Sequence, residues 1–195
     1  MKRTSILKRT LYMLSLFAAL SNFTSCKEKA PDTEEVADEQ NEEKFDANDS
    51  KENDSEFLVD AAELDMQEIQ LGKLAQRSTN ADIKMHGKMM EDEHTKSSNM
   101  LKTLAASKGV TLPAALTEDG MDAYKKLNDK KAEDFDEAYI DMMVDAHEKA
   151  VTKFENNSDR TEDPEIKAWA TTTLGTLRTH LEHSRTLQKK IENKE

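Results

Sequence analysis

Cysteine, proline, glycine and aromatic residues are all scarce in this sequence. Its 195 residues include one cysteine, three prolines and five glycines, and aromatic residues make up 5%. An all-β protein needs many turns and strands rich in β-branched and aromatic residues, so this composition argues against one. Alanine, leucine, methionine, glutamate and lysine fill much of the remainder and favour helix. We therefore expect an all-α protein with one folded domain and no internal disulfide.

Basic residues are also few relative to acidic ones. The chain has 28 Lys and Arg against 40 Asp and Glu, which gives a formal charge of -12. An acidic chain repels phosphate backbones, and no basic stripe with interleaved aromatics is present, so we expect no nucleic-acid partner. A Gly-x-Ser-x-Gly elbow and a phosphate-cradling glycine loop are also missing. Their absence argues against serine hydrolase and phosphate-loop enzymes.

The N-terminus has the pattern of an export signal. Residues 1–9 carry four basic and no acidic residues, and an almost uncharged run follows over 11–23. This is typical of a signal peptide. The run is shorter than the ~20 residues that a membrane-spanning helix needs. We therefore expect a signal peptide over 1–25 and no permanent transmembrane helix.

The only cysteine, Cys26, ends this run after two small residues, Thr24 and Ser25. This arrangement resembles the lipobox of bacterial lipoproteins. The resemblance implies cleavage before Cys26 and lipidation of that residue, which anchors the chain at the periplasmic face or the outer-membrane surface of the cell envelope. Ordinary secretion with a free thiol is the alternative.

The segment that follows is strongly acidic. Residues 27–56 contain 13 acidic residues and four lysines, and Val36 and Phe45 are their only large apolar residues. Such a segment buries too little apolar surface to offset its chain entropy. We therefore predict a disordered, solvated tether over 26–56, followed by a folded domain over 57–195.

From Phe57 onward, apolar residues recur three and four positions apart, the period of an amphipathic helix. The pattern covers four long segments, 57–75, 83–104, 139–154 and 166–191. Asn80 is suited to cap the second helix, Gly109 to end it, and Pro164 to begin the fourth. Short turns join the helices into two hairpins, and a longer connection with a short helix at 117–129 links the hairpins. The pattern predicts a ferritin-like antiparallel four-helix bundle.

Ionisable residues interrupt the apolar stripes on three of these helices. Glu68, His94 and His147 each lie between large apolar residues on the inward face. Buried carboxyl and imidazole groups must hydrogen-bond, pair or coordinate something. Glu91 stands three residues before His94, which is the Glu-x-x-His spacing of di-iron carboxylate bundles.

If the hairpins are regular, Glu68, Glu91, His94 and His147 lie at one level along the bundle axis. They are therefore candidate ligands for iron, manganese or another transition metal. His180 is a further candidate, predicted roughly 5 to 10 Å lower by the same helical rise and closer to Tyr139.

Two other interpretations of the inward-facing residues stay open. One is a buried hydrogen-bond network that holds no metal. The other is a soft copper or haem site built from methionines, although methionine at helical spacing is usually core filler. The methionines concerned are those at 85, 89, 90, 100, 121, 142 and 143.

Five motifs occur in order along the predicted domain: Leu71–Ala75, Glu91–Lys96, Gly109–Pro113, Asp145–Lys149 and Leu177–Glu182. Together they resemble a family of exported bacterial proteins of unknown function that have a ferritin-like four-helix bundle and are described as outer-membrane proteins. The resemblance implies this fold and an envelope location, but no reaction.

The candidate residues match ferritins only in part. Ferritins proper carry Glu on the first and third helices and Glu-x-x-His on the second and fourth. Glu68 and the pair Glu91 and His94 fit the first two helices, but His147 stands where the third has Glu. The fourth helix carries His180-x-x-His183. This departure argues against complete di-iron chemistry.

Three functions are consistent with these observations. The leading one is a lipid-anchored envelope protein whose bundle acts as a binding or structural module with a buried Glu and His metal site. The second is a di-metal oxidase or peroxidase that uses the same residues as ligands. The third is a protein that binds an envelope partner or forms a homo-oligomer through an exposed helix face.

Overall fold

Residues 31–193 are described by the structure, a computed structural model. They form six helices and no strand, which confirms the all-α prediction for this part of the chain. None of these helices combines the length and the hydrophobicity that a bilayer-spanning segment requires. The helices are α1 (Thr33–Phe45), α2 (Asp49–Ala75), α3 (Ala81–Lys108), α4 (Glu118–Asn128), α5 (Ala132–Arg160) and α6 (Pro164–Glu192).

The helix ends carry the local signals expected from the sequence. The Asn80 side chain accepts from the backbone N–H of Asp82 at the start of α3. Gly109 ends α3 with φ 74°, a left-handed conformation that glycine adopts without steric penalty. Asp163 caps α6, whose first residue is Pro164. The predicted short helix is α4, which Thr117 caps.

The prediction of a disordered tether is wrong for residues 33–56. Residues 33–45 form α1, and α2 begins at Asp49 rather than at Phe57. Hydrogen bonds to the α3–α4 connection hold α1 in place. The Asn41 side chain donates to the Thr111 carbonyl at 2.8 Å and accepts from the Thr111 N–H at 2.7 Å. Composition does not reveal such contacts between residues 70 positions apart.

The long helices pack as two pairs. Contacts between α2 and α3 run in opposite chain directions: Asp65 hydrogen-bonds His94, and further along α2 Gly72 approaches Gly87, which lies earlier on α3. The two helices are therefore antiparallel. A Cβ atom added at Gly72 would lie 2.7 Å from the Gly87 carbonyl oxygen, so their backbones are almost in contact.

The second pair, α5 and α6, is antiparallel for the same reason. Phe154 contacts Trp169, and His147, which is earlier on α5, contacts His180, which is later on α6. Across the pairs, α2 contacts α5 and α3 contacts α6. Each of the four long helices therefore has two long neighbours around a common interior.

The interior contains two apolar clusters with a polar layer between them. One cluster includes Phe57, Leu101, Phe154, Trp169 and Leu177. The other includes Leu71, Ile83, Met90, Tyr139 and Met143. Each long helix places buried polar residues between the two clusters: Asp65 and Glu68 on α2, His94 on α3, His147 on α5 and His180 on α6.

Candidate metal centre

Three imidazole rings meet in the polar layer. His94, His147 and His180 come from three different helices, and each has at most 3% of its surface exposed. The ring centroids of His94 and His147 lie 5.7 Å apart, and His180 lies 5.3 Å from each. Each ring offers one nitrogen, and these three nitrogens all lie within 4.8 Å of one another. This convergence makes the three nitrogens candidate ligands for one ion.

His94 is held by a buried carboxyl group. Its Nδ1 lies 2.8 Å from Oδ1 of Asp65, and both side chains are almost fully buried. A carboxylate can only accept, so with Asp65 ionised the His94 Nδ1–H donates and the Nε2 lone pair is free. That Nε2 is buried and has no hydrogen-bond partner.

His147 is held by its own helix. Its Nδ1–H donates to the carbonyl oxygen of Met143 at 2.9 Å, because a carbonyl can only accept. In the neutral ring the Nε2 lone pair therefore faces Nδ1 of His180, at 3.3 Å. Glu68 lies on the opposite side of the ring, with Oε1 3.9 Å from Nδ1. The Glu68 carboxyl is fully buried, and neither of its oxygens has a hydrogen-bond partner.

His180 faces both the interior and the surface. Its Nδ1 faces His147, and its Nε2 lies 3.4 Å from Oε2 of Glu93 without a hydrogen bond. If Nδ1 carries the proton, the Nε2 lone pair faces an acceptor oxygen. If Nε2 carries it, the Nδ1 lone pair faces the lone pair of His147. Either neutral tautomer leaves two acceptors opposed, and a cation between them would remove that conflict.

Burial keeps these imidazoles neutral. Loss of solvation lowers the pKa of His94 to about 4. Loss of solvation and the neighbouring rings together lower the pKa of His180 to about 4 and that of His147 to about 3. Burial also raises the pKa of Asp65 and Glu68 to about 8. Asp65 is therefore mostly protonated at neutral pH, and a metal ion on Nε2 of His94 would favour its ionised, accepting form with release of that proton. A neutral imidazole has a free lone pair, which is the form that binds metals.

Most of the predicted site residues come together. The structure brings Glu68, His94 and His147 into one layer, as the stripe positions indicate. The prediction that His180 lies lower and pairs with Tyr139 is wrong. Helix α5 continues to Arg160, so the turn to α6 spans only 161–163 and moves the level of His180 to that of His147.

Tyr139 instead belongs to a separate hydrogen-bond network. Its hydroxyl lies 2.9 Å from Nδ1 of His86, whose Nε2 lies 3.0 Å from the Ser184 hydroxyl. Both nitrogens of His86 therefore have partners. This network satisfies a core histidine and leaves no ligand atom free.

Glu91 does not join the histidines. Its Oε2 accepts a hydrogen bond of 2.7 Å from Gln76 at the end of α2, and the side chain is half-buried. Asp65, which supports His94, was not among the sequence candidates. The sequence feature that could have identified Asp65 is its position on the inward face of α2, one turn before Glu68.

The methionines divide between core and surface. Met90 and Met143 are fully buried in an apolar cluster, whereas Met85, Met100 and Met121 are exposed. The first two behave as core filler, and the structure does not place the other three in the histidine cluster.

Together, the fold and the site define an all-α protein with a buried layer of histidines and carboxyls. Residues 39–187 match the family described as Domain of unknown function (DUF4142), and the chain belongs to that family. This agrees with the resemblance to a family of unknown function, while export and lipidation stay predictions. No curated protein matches the chain.

A solved structure is similar in fold. The crystal structure of a DUF305 fragment from Deinococcus radiodurans aligns with a TM-score of 0.62 and 13% sequence identity. The alignment covers 70% of this chain and 95% of that fragment. At this identity the similarity concerns the fold alone.

Proposed function

We propose that this chain is a lipid-anchored protein of the bacterial cell envelope whose helical domain binds one transition-metal ion. The proposed ligands are Nε2 of His94, Nε2 of His147 and Nδ1 of His180. The observation that carries this proposal is the convergence of three buried, neutral imidazoles whose ligand nitrogens lie within 4.8 Å of one another.

The spacing of the nitrogens supports this proposal. Metal–nitrogen bonds of about 2.0–2.1 Å in a tetrahedral site place neighbouring ligand atoms about 3.3–3.4 Å apart. The His147 and His180 nitrogens are 3.3 Å apart. Imidazole suits zinc, copper, iron and nickel, so the site selects this class of ion over calcium or magnesium.

The groups behind the ligands support it as well. Metal-binding histidines usually donate their other N–H to a carboxylate or a carbonyl. His94 has Asp65 in this position, His147 has the Met143 carbonyl, and His180 has Glu93. Each ring therefore has an acceptor for its second nitrogen when the first binds an ion.

One ion fits these residues better than two. A di-metal oxidase or peroxidase needs carboxylates that bridge or flank two ions, but Glu91 is bonded to Gln76 and Glu68 lies behind His147. We therefore favour a binding module with a mononuclear site over the di-metal enzyme.

The four long helices support a ferritin-like four-helix bundle. They form two antiparallel pairs, and the second pair follows a longer connection that contains α4. Such bundles place metal ligands on facing helices in the interior, which is where the histidines lie.

The envelope location rests on the sequence. The predicted signal peptide (1–25) and the lipidated Cys26 lie outside the described residues. A homo-oligomer or an envelope partner also stays a prediction.

Titration of the metal-free full chain with Co²⁺ in mild detergent tests the metal site. We expect saturable visible absorption at one ion per chain, lost in His147→Gln and kept in His183→Gln, which changes an exposed histidine of α6. Circular dichroism checks that each variant is folded, and His94→Gln repeats the test from α3. Wild-type protein without saturable absorption, or ligand variants that bind normally, would contradict the proposal.

A further inference from the structure

The buried site has one side that approaches the surface, and it lies between α3 and α6. The side chain of Glu93 is 51% exposed, whereas the side chain of His180 beside it is 3% exposed. The acceptor behind His94 is Asp65, whose side chain is only 4% exposed. The acceptor behind His147 is a carbonyl within α5. Glu93 is therefore the solvent-facing group of this set.

Glu93 and His180 each place one possible ligand atom on that side. Oε2 of Glu93 and Nε2 of His180 are 3.4 Å apart, and the His180 nitrogen is buried with no hydrogen-bond partner. This distance equals the separation of about 3.3–3.4 Å expected for two neighbours on one tetrahedral ion. The same ring presents Nδ1 to His147 at 3.3 Å on its inner side.

We propose that Glu93 Oε2 and His180 Nε2 form an outer capture position through which a transition-metal ion reaches the three-histidine site. This inference rests on the proposed metal site. His180 serves both positions, because it binds the arriving ion through Nε2 and the resident ion through Nδ1. As the ion moves inward, Nδ1 releases its proton to solvent and Nε2 takes up a proton from solvent, which it then donates to Glu93.

The arrangement separates the rate of loading from the affinity. In the loaded state Glu93 accepts from His180 and does not touch the ion, so its charge acts mainly on the arriving cation. Charges of one sign that line a low-dielectric cleft raise association rates by roughly 10- to 1,000-fold, and Glu93 contributes such a charge at the mouth of this site. Because the ion enters and leaves by the same route, removing that charge should slow loading and release by similar factors and leave the dissociation constant nearly unchanged.

Stopped-flow mixing of the metal-free full chain with Co²⁺ tests this route, and chelator competition gives the dissociation rate. Glu93→Gln should slow association about tenfold or more and slow dissociation by a similar factor, because the ion leaves by the same route and the glutamine oxygen still accepts from His180. Glu93→Asp should recover part of the rate. Asp92→Asn removes the same charge from the neighbouring exposed position of α3 and should load at the wild-type rate.

Each of the other outcomes overturns the capture position for a different reason. Wild-type loading in Glu93→Gln would overturn the capture position while leaving the metal site standing. Faster dissociation with unchanged association would assign Glu93 only the role of orienting His180, and this also overturns the proposal. Wild-type protein that binds no Co²⁺ would overturn the metal site itself, and the capture position with it.

Discussion

At the scale of single residues, the polar layer carries a cost in stability. Glu68 is fully buried, and its Oε1 lies 3.9 Å from Nδ1 of His147. Its oxygens have no hydrogen-bond partners, and an unpaired buried polar group costs roughly 1–3 kcal/mol in protein mutational data. Such a residue persists where it serves something other than folding, as polar groups at functional sites do.

Replacement of Glu68 by an apolar residue of similar length should therefore stabilise the metal-free protein. We expect Glu68→Met to raise the free energy of unfolding at pH 7 by about 1–3 kcal/mol, measured by urea denaturation with an unchanged m-value. Glu68→Gln keeps a polar group in the same place and should gain much less. A Glu68→Met protein less stable than wild type would show that the carboxyl group makes a favourable interaction in the fold.

The sequence identifies most of this layer but not its details. Glu68, His94 and His147 follow from the helical period, because an ionisable residue between large apolar ones must face inward. The level of His180 depends on where α5 ends, and no residue before Arg160 signals that end. Glu91 has the expected spacing, but Gln76 at the end of α2 holds its carboxylate away from the histidines.

At the scale of helices, the α2–α3 pair depends on two glycines. A Cβ atom at Gly87 would lie 2.6 Å from the Gly72 carbonyl oxygen and 2.6 Å from the Ala75 Cβ. Real Cβ contacts are longer, so a side chain there must push the helices apart. The same close approach brings Asp65, about two turns before Gly72 on α2, within hydrogen-bonding distance of His94.

Two alanine substitutions should therefore have opposite effects. Gly87→Ala should destabilise the protein by about 1–3 kcal/mol because it overpacks the helix contact. Gly175→Ala on α6 should stabilise it by about 0.5–1 kcal/mol, since a Cβ atom there meets nothing within 4 Å. Thermal or urea unfolding of both variants gives the comparison, and a neutral or stabilising Gly87→Ala would contradict the close approach.

Helix α1 is the element that composition mispredicts. Its own apolar surface is small, but a capping box at Asp32 and Glu35 starts it, and Asn41 ties it to Thr111. It also brings acidic residues against α2. Burial, together with the charges of Glu63 and Asp60, raises the pKa of Glu34 from 4.5 to about 7.

This shift predicts that α1 packs less firmly as the pH rises. A raised carboxyl pKa favours the protonated form in the folded state, so its stabilisation is complete below about pH 4.5 and is lost as the pH passes about 7. Amide hydrogen exchange, corrected for intrinsic rates, should show less protection in α1 at pH 8 than at pH 6. Glu34→Gln should reduce this difference, and the exposed Glu39→Gln should keep it. Equal protection at both pH values in the wild type would contradict the prediction.

At the scale of the whole molecule, two apolar clusters enclose the polar layer and supply the stability that this layer does not. The all-α class and the long helices follow from the period of the apolar residues and from helix-end signals at Asn80, Gly109 and Pro164. Long-range contacts such as Asn41 with Thr111 do not follow from local patterns. In our account, a metal ion that binds only the folded state adds stability, by about 2.7 kcal/mol at 100 times its dissociation constant.

The most direct test of the metal site is a crystal structure of the protein grown with Zn²⁺, with diffraction data collected on both sides of the zinc absorption edge. We predict one anomalous peak per chain in the polar layer, about 2.0–2.1 Å from nitrogens of His94, His147 and His180. An ordered, neutral histidine cluster without a peak, or a peak held only by other residues, would contradict it.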